Sequence, residues 1–383
     1  MASSSSLLEL PTDFRGDHHH HQLPSVVSVQ ELAKRPLTTI PTPFVSFDQE
    51  IPEETLHQPY VEAPILDLQL LTADHETSSL ELAKLHSYCQ EWGIFQHILI
   101  RRHMYVQLVN HGVDKSVIEK LRHEVEGFYK LPVEEKLRYK EQPGDYEGYG
   151  GTGRLKGRLE WGDRFYMNTN PIHRRKPHLF PELPSSFRES LEVYLEEVQK
   201  LAMKLMGLMA KALQTEAKKV EEMMDDGMQS VRITYYPPCP RPELVVGITP
   251  HSDASGITIL NQVNGVDGLK IVKDGAWLPL TFLPHALVVN VGDILEVLSN
   301  GLYKSVEHSV AVNSEKERIA VGFFFNPRFD AEVGPATDIV GPENPPKFKR
   351  KGMEQYVKDY FAMKMEGRSN LEHMKIDNDG CRQ

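Results

Sequence analysis

The pattern of apolar and polar residues changes twice along the chain. Residues 1–60 are rich in Ser, Pro and His without a sustained period, and we interpret them as an N-terminal arm. Over residues 61–225, apolar positions mostly recur at the three- and four-residue spacing of amphipathic helices. Over residues 226–335 they alternate with polar positions, as in half-buried strands. Residues 336–383 return to a helix, "GMEQYVKDYFAMKM", and a tail.

The second region predicts one short strand, "APILDLQLL", and several helices. The longest helix follows "LPSSF", where Ser186 and Glu189 have the spacing of a capping box. Its apolar stripe predicts a buried face. The members of this stripe are Leu191, Leu195, Val198, Ala202, Leu205, Leu208 and Ala212. The methionines beside the stripe (Met203, Met206 and Met209) are interpreted as core filler.

The third region predicts many short strands, with Asp274-Gly275 as a hairpin turn between two of them. The candidates are "VRITYY", "VVGITPHSD", "GITILNQV", "GLKIVK", "AWLPL", "ALVVNVG", "ILEVLSNG", "YKSVEHSVAV" and "RIAVGFFFNP". They leave no room for the helices of a doubly wound sheet, so we predict a sandwich or jelly roll. The fold class is therefore α+β, with a mainly helical N-terminal region and a C-terminal helix. Phe323–Phe325 in the last strand are interpreted as barrel packing, not as a substrate wall.

Charge and composition narrow the possible partners. A net charge of −11 argues against binding to nucleic acid, and no apolar run approaches the roughly 18 residues of a membrane span. The three cysteines are widely spaced, which suggests a reducing compartment rather than a disulfide framework. The first residues lack the basic segment of a signal peptide, so we expect a cytoplasmic protein. His18–His21 could bind metal but lack fixed surroundings.

Candidate chemistry begins at "VVGITPHSDASGITIL". His251 and Asp253 are two residues apart, a spacing that places both side chains on one face of an extended strand. His308 lies on another predicted strand. Two histidines and one carboxylate form the facial triad of non-haem Fe(II) oxygenases, and the absence of thiolates disfavours structural zinc. With 17 histidines in the chain, this pattern alone is weak.

Arg318 adds a second element to the candidate site. It begins "RIAVGFFFNP", where alternation places Arg318 and Ala320 on the same face. A guanidinium that faces a barrel interior requires an anion. A dicarboxylate co-substrate would meet this need through a bidentate contact, and so would an internal salt bridge with Asp or Glu. Spacing alone leaves both interpretations open.

Longer motifs carry a family resemblance. "YYPPCPRPELVVGITPHSDASGITIL", "GDILEVLSNGLYKSVEH" and "NSEKERIAVGFFFNP" resemble plant 2-oxoglutarate/Fe(II)-dependent dioxygenases, in particular the senescence-related clade that contains codeine O-demethylase and thebaine demethylase. In the N-terminal region "FYKLPVEEK" and "WGDRFYM" match as well. The resemblance extends over residues 60–375 and implies a double-stranded β-helix core.

The resemblance also implies a set of site residues. The iron ligands would be His251, Asp253 and His308. Arg318 would bind the distal carboxylate of 2-oxoglutarate, and Tyr236 would donate a hydrogen bond to this co-substrate. Thr234 lies on the same face as Tyr236, where many relatives have Asn.

The implied cofactors are Fe(II), 2-oxoglutarate as co-substrate, O₂, and ascorbate as reductant. The expected reaction hydroxylates or O-demethylates an alkaloid, flavonoid or other phenolic, with release of succinate and CO₂. Competing interpretations are an ascorbate-dependent oxidase or desaturase of the same fold, and a catalytically impaired small-molecule-binding or scaffold protein. Substrate identity and oligomeric state stay open.

Two departures from the family pattern stand out. Many relatives have Arg-x-Ser, whereas this chain has Ala320 at the serine position, so we expect weaker 2-oxoglutarate binding.

The second departure is in "EWGIFQHILIRRHMYVQLVNHGV", which is too long for one strand. Excising His97–Gln107 leaves a single strand, and a glutamine both precedes the excised segment (Gln96) and ends it (Gln107). We interpret residues 97–107 as an insertion from a splice variant or a gene-model error, or alternatively as a tolerated surface loop.

Overall fold

The computed structural model describes most of the chain. The described residues are 28–46, 61–90, 105–150, 154–155, 158–273, 276–365 and 370–376. No helix within these ranges is long and apolar enough to cross a membrane.

The described helices lie mainly before residue 226, as predicted. They are α1 (Val29–Ala33), α2 (His75–Gln90), α3 (Lys115–Lys130), α4 (Val133–Lys136), α5 (Ser185–Ala212), α6 (Ala217–Met224), α7 (Asp293–Leu298), α8 (Met353–Met365) and α9 (Asn370–Met374).

Strands occur on both sides of residue 226. The earlier ones are β1 (Val61–Glu62), β2 (Ile65–Asp67), β3 (Tyr105–Val109), β4 (Gly148–Gly150), β5 (Arg154–Leu155), β6 (Arg158–Leu159) and β7 (Asp163–Asn170). The later ones are β8 (Gln229–Tyr236), β9 (Ile248–His251), β10 (Ile257–Gln262), β11 (Leu269–Lys273), β12 (Ala276–Thr281), β13 (Leu287–Val291), β14 (His308–Val310), β15 (Arg318–Phe325), β16 (Glu332–Val333) and β17 (Lys351–Gly352).

Two sheets build the predicted jelly roll. The major sheet has the strand order β2-β3-β13-β10-β15-β8-β7-β4, and the minor sheet has the order β1-β12-β11-β14-β9. Apolar residues from both sheets form one buried cluster between them, whereas a larger cluster joins the other face of the major sheet to the helices. Because strands from before residue 226 belong to the same sheets as those after it, the division at that residue remains a prediction.

Helix α5 covers the outer face of the major sheet through its predicted stripe. Most of the stripe is buried, and Leu208 and Ala212 are only partly buried. Met206 and Met209 fill the same core. The predicted capping box is wrong. Pro184 is the N-cap residue and makes no side-chain bond, and the Ser186 hydroxyl donates to Glu124 instead (3.0 Å). Because a proline N-cap has no side-chain acceptor, no capping hydrogen bond forms at this end of α5. The Ser186 hydroxyl makes a tertiary hydrogen bond instead.

One predicted strand is a helix. "ILEVLSNG" lies mostly in α7, which is buried along its whole length. A short continuous apolar run has the same appearance in a buried strand and a buried helix, so periodicity could not distinguish them. Gly292 is the N-cap residue of α7, and a Cβ added there would lie 2.2 Å from the Ser255 carbonyl oxygen. The Asp293 amide then donates to the carbonyl of Asp253 (2.7 Å), which ties the helix to the candidate site.

Other strand predictions are confirmed. Strands β11 and β12 pair antiparallel with Lys273 opposite Ala276, although the turn residues Asp274-Gly275 lie outside the described residues. The phenylalanine run in β15 divides by alternation, because Phe323 and Phe325 are fully buried in the helix-side core. Phe324 points to the other face and lines cavities there, so the packing interpretation is wrong for this residue.

Strand β3 changes the interpretation of the insertion. Residues 97–104 lie outside the described residues, but Tyr105, Val106 and Gln107 form the first three positions of β3. This strand pairs with β2 and β13 inside the major sheet. The Gln107 side chain donates to the Ala63 carbonyl (2.8 Å) and accepts from the Leu283 amide (2.5 Å). The end of the predicted insertion is therefore part of the framework and not of a surface loop.

The described part of the N-terminal arm packs on the β-core. The Ser28 hydroxyl and the Val29 amide both donate to the buried carboxylate of Asp163 (2.6 Å each), and the Tyr149 hydroxyl donates to it as well (2.8 Å). Burial raises the pKa of Asp163 above its ordinary value, although these donors act in the opposite direction. His18–His21 lie outside the described residues.

Candidate active site

The structure brings the three predicted metal ligands together. His251 ends β9 and His308 begins β14, and these two residues lie directly opposite each other in the antiparallel pair. Asp253 follows β9 by two residues. The Nε2 atoms of both histidines lie 3.7 Å from Oδ1 of Asp253, and the three ligand atoms all lie within 4.8 Å of one another. Among the described residues this is the cluster of three or more ligand side chains that could hold a metal ion.

Backbone carbonyls orient both imidazoles. Nδ1 of His251 lies 2.8 Å from the carbonyl oxygen of Thr249, and Nδ1 of His308 lies 3.1 Å from that of Val306. A carbonyl oxygen can only accept, so each Nδ1 carries the proton and donates. The lone pair of each neutral imidazole is then on Nε2, which faces Asp253.

Two side chains hold the carboxylate. Oδ2 of Asp253 accepts from the Thr258 hydroxyl (2.7 Å) and from the Asn290 amide (2.9 Å), which leaves Oδ1 toward the histidines. Burial raises the pKa of Asp253, but the adjacent His308 and His251 and these hydrogen bonds outweigh burial and bring the pKa below its ordinary value. An ionised carboxylate with two imidazole nitrogens fits the donor preference of Fe(II).

Arg318 lies fully inside the jelly roll. Its Nε donates to the Val266 carbonyl (3.1 Å), one terminal nitrogen lies 3.3 Å from Oε1 of Gln262, and the guanidinium stands 5.2 Å from the centre of the Tyr236 ring. No ion pair formed by the described residues includes Arg318. The internal salt bridge considered above is therefore absent from this part of the chain. Burial lowers the pKa of Arg318, with Tyr236 and Asp267 acting against this effect.

The register of β8 and β15 fixes the remaining predicted residues. Arg318 lies opposite Tyr236, and Ala320 lies opposite Thr234, so these four side chains share one face. All four line a cavity that also contains the three predicted ligands. Burial raises the pKa of Tyr236, so its hydroxyl keeps its proton at neutral pH. The structure therefore brings these predicted residues together around one cavity, and their roles remain predictions.

A second cavity opens on the other side of the triad. It shares His251, Asp253, Arg232 and Phe324 with the first. Six of its sixteen lining residues are Tyr or Phe, and Tyr146 and Phe361 stack with ring centres 3.7 Å apart. Much of this wall comes from α8.

Comparison with known proteins agrees with this geometry. Residues 227–327 match the 2OG-Fe(II) oxygenase superfamily, and residues 63–183 match the N-terminal region described as "non-haem dioxygenase in morphine synthesis". The chain is 44% identical to codeine O-demethylase of Papaver somniferum, over 92% of this chain and 96% of that protein. The chain belongs to the 2-oxoglutarate/Fe(II) oxygenase superfamily. It is an oxidoreductase that uses Fe(II), 2-oxoglutarate and O₂.

Other relatives of this oxygenase support the same assignment. It is 41% identical to oxoglutarate-dependent flavonoid 7-O-demethylase 1 of Ocimum basilicum, over 92% of both chains. The solved structure of JOX2 in complex with 2OG, Fe and JA covers 92% of the oxygenase, with a TM-score of 0.79 and 33% identity, and is itself covered to 98%. The similarity thus includes the jelly-roll core and the N-terminal region.

Sequence reasoning missed three residues of this site. Thr258 and Asn290 hold Asp253, and Tyr105 stands beside His308 with ring centres 5.6 Å apart. A polar Asn290 inside the buried run "LVVNV" was a usable signal, because buried amides need partners. Tyr105 lies within the predicted insertion, so the sequence pattern provided no reason to place it at the site. Burial and the charge of Asp253 raise the pKa of Tyr105 well above its ordinary value.

Proposed function

We propose that this oxygenase hydroxylates or O-demethylates a plant specialised metabolite, an alkaloid, flavonoid or other phenolic, and releases succinate and CO₂. The observation that carries the proposal is the shared cavity, in which the three ligand side chains and the buried Arg318 face the same space. The demethylases among the similar proteins support the substrate class.

The proposed roles follow from the contacts. His251, Asp253 and His308 bind iron through the atoms that face one another. Arg318 binds the distal carboxylate of 2-oxoglutarate, since it is a buried cation without an ion-pair partner among the described residues. Tyr236 donates a hydrogen bond at the same end, and Thr234 lies beside it.

When bound, Fe(II) and 2-oxoglutarate supply the oxidative chemistry, in which O₂ converts the co-substrate to succinate and CO₂ and hydroxylates a substrate carbon. On an O-methyl group the resulting hemiacetal releases formaldehyde. The protein contributes position and exclusion of water. Thr258 and Asn290 fix the carboxylate, and backbone carbonyls fix the imidazoles.

The aromatic cavity supports a flat, largely apolar substrate. Its wall includes the six aromatic side chains of Tyr146, Tyr166, Phe324, Tyr356, Tyr360 and Phe361. Arg164, which is paired with Glu141, and Arg232, which is paired with Glu160, add polar groups to the wall that would accept a polar substituent. Because His251 and Asp253 belong to both cavities, a molecule in this cavity meets the triad directly.

The experiment is a screen of methoxylated alkaloids, flavonoids and other phenolics against the full chain with Fe(II), ascorbate and 2-oxoglutarate. Demethylation gives equal amounts of succinate and formaldehyde, and hydroxylation gives succinate alone. Substrate oxidation without succinate would instead identify an ascorbate-dependent oxidase. Calorimetric binding of a metabolite without any turnover would favour the binding-protein alternative. The Asp253→Ala chain serves as the control for oxidation by free iron.

A further inference from the structure

Tyr105 reaches the candidate active site from a strand that the iron ligands do not use. It begins β3, lies opposite Asn290 of β13, and is 1% exposed. Its ring meets that of His308 edge-on, at an interplanar angle of 81°. Together with Arg318, Tyr236 and the triad, it lines the cavity assigned above to 2-oxoglutarate.

The hydroxyl of Tyr105 has no hydrogen-bond partner among the described residues. An unpaired buried hydroxyl is destabilising, because folding removes it from water without replacing the lost hydrogen bond. The side chain therefore does not serve the fold through its hydroxyl. A phenol, with an ordinary pKa of about 10, is protonated at neutral pH and available as a donor.

Strand order places Tyr105 far from the carboxylate-binding end of the cavity. β13 and β10 lie between β3 and β15, so the strands that carry Tyr105 and Arg318 are three spacings apart, roughly 14 Å. The register also places Tyr105 level with Phe324, six residues from Arg318 along β15. Their side chains enter the cavity from different strands, and Tyr105 is the one that contacts a metal ligand. If the distal carboxylate of 2-oxoglutarate binds Arg318, its keto-acid end lies on the side of the metal ligands.

We propose that Tyr105 is a co-substrate-binding residue whose hydroxyl donates a hydrogen bond to the keto-acid end of 2-oxoglutarate. This inference rests on the proposed function of the cavity. The contact adds a donor at one end of the co-substrate, while Ala320 provides none at the other. It also gives a role to the end of the predicted insertion, since Tyr105 and Gln107 belong to that segment.

The repeated glutamine provides a natural comparison. If residues 97–107 were deleted, Gln96 would precede Leu108, as Gln107 does now, and Ile94 would occupy the position of Tyr105. The deletion thus exchanges a phenol for an aliphatic side chain at this point of the cavity. The substitution Tyr105→Ile makes the same exchange without shortening the chain.

The test is an anaerobic titration of the Fe(II)-loaded full chain with 2-oxoglutarate, followed by the visible metal-to-ligand charge-transfer absorption. Tyr105→Phe, which removes only the hydroxyl, should raise the Kd for 2-oxoglutarate roughly tenfold, the effect of losing one hydrogen bond to a charged group. Tyr105→Ile and the deletion of residues 97–107 should weaken binding at least as much. The matched control is Tyr303→Phe, because the Tyr303 hydroxyl is also buried but bonds to His86 outside the cavity.

Thermal unfolding separates binding from a structural role. Without ligand, Tyr105→Phe should melt no lower than the native chain, because the lost hydroxyl makes no bond among the described residues. A lower melting temperature with an unchanged Kd would show a structural residue and overturn the inference. An unchanged Kd in Tyr105→Phe overturns it as well, while the proposed function stands if the native chain develops the absorption. Absence of the absorption in the native chain would overturn both.

Discussion

The two ends of the co-substrate cavity are built differently. At the metal end, a hydrogen bond orients each ligand: carbonyls hold His251 and His308, and two side chains hold Asp253. At the other end, Arg318 supplies the charge, and its neighbour on the same face, Ala320, has no hydroxyl to add. The three proposed metal ligands are thus each held by hydrogen bonds, whereas the proposed carboxylate end has Arg318 and Tyr236 but no hydroxyl at position 320.

The comparison predicts the largest effect for loss of a metal ligand. In His308→Ala, iron binding should disappear and succinate formation should fall by more than roughly a thousandfold, since the metal contributes several kcal/mol to catalysis. Iron content and initial rates measure this. The exposed His285→Ala serves as the matched control. Iron retained at native stoichiometry would contradict the assignment of the metal end.

Removal of the charge at the other end should have the next largest effect. Arg318→Met should raise the KM for 2-oxoglutarate roughly a hundredfold, about 3 kcal/mol, because a bound carboxylate would lose its charged partner. Arg318→Lys should recover part of the affinity, since it restores charge but not the planar fork. Steady-state kinetics with varied 2-oxoglutarate provide the measurement, and melting curves check folding. If the KM stays at its native value, the carboxylate is bound elsewhere.

Loosening the metal end without removing a ligand should have a smaller effect. Asn290→Ala deletes one of the two donors to Asp253, and we expect a roughly 10–100-fold weaker iron affinity, as is usual for residues behind metal ligands. Competition with a chelator measures this affinity. Asn168→Ala, a buried asparagine bonded to Glu147, is the control. Equal iron affinity in both variants would mean that Thr258 alone positions the carboxylate.

The smallest expected effect comes from completing the sparse end. Ala320→Ser places a hydroxyl beside Arg318 and opposite Thr234, and should lower the KM for 2-oxoglutarate by up to roughly tenfold. Ala320→Val, which adds bulk without a donor, separates hydrogen bonding from packing. An unchanged or higher KM for the serine variant would show that the carboxylate site needs no further donor.

Much of the metal end was predictable from sequence because its geometry is largely local. His251 and Asp253 are two residues apart, and the alternating pattern placed His308 on a strand. Arg318, Ala320, Thr234 and Tyr236 were placed on their faces by the same alternation, and the register of β8 and β15 confirms it.

Features that depend on tertiary packing were not predictable. The buried run of α7 has no period that separates helix from strand. Tyr105 could not be connected with His308 because the two residues come together only through the pairing of the two sheets. For Phe324, alternation predicts the face of the sheet, but the cavity on that face depends on tertiary packing.

The attachment of Ser28 and Val29 to Asp163 affects where the gene can be cut for expression. The family match begins at residue 63, which makes that position a natural choice for a shortened protein. Such a protein would lose three hydrogen bonds to a fully buried carboxylate at the first residue of β7, from Ser28, Val29 and Gln30. Strand β7 pairs directly with β8, which carries Tyr236. A shortened protein that retains residues 28–46 preserves this anchor, so we expect it to unfold at a higher temperature than one that begins at the family match.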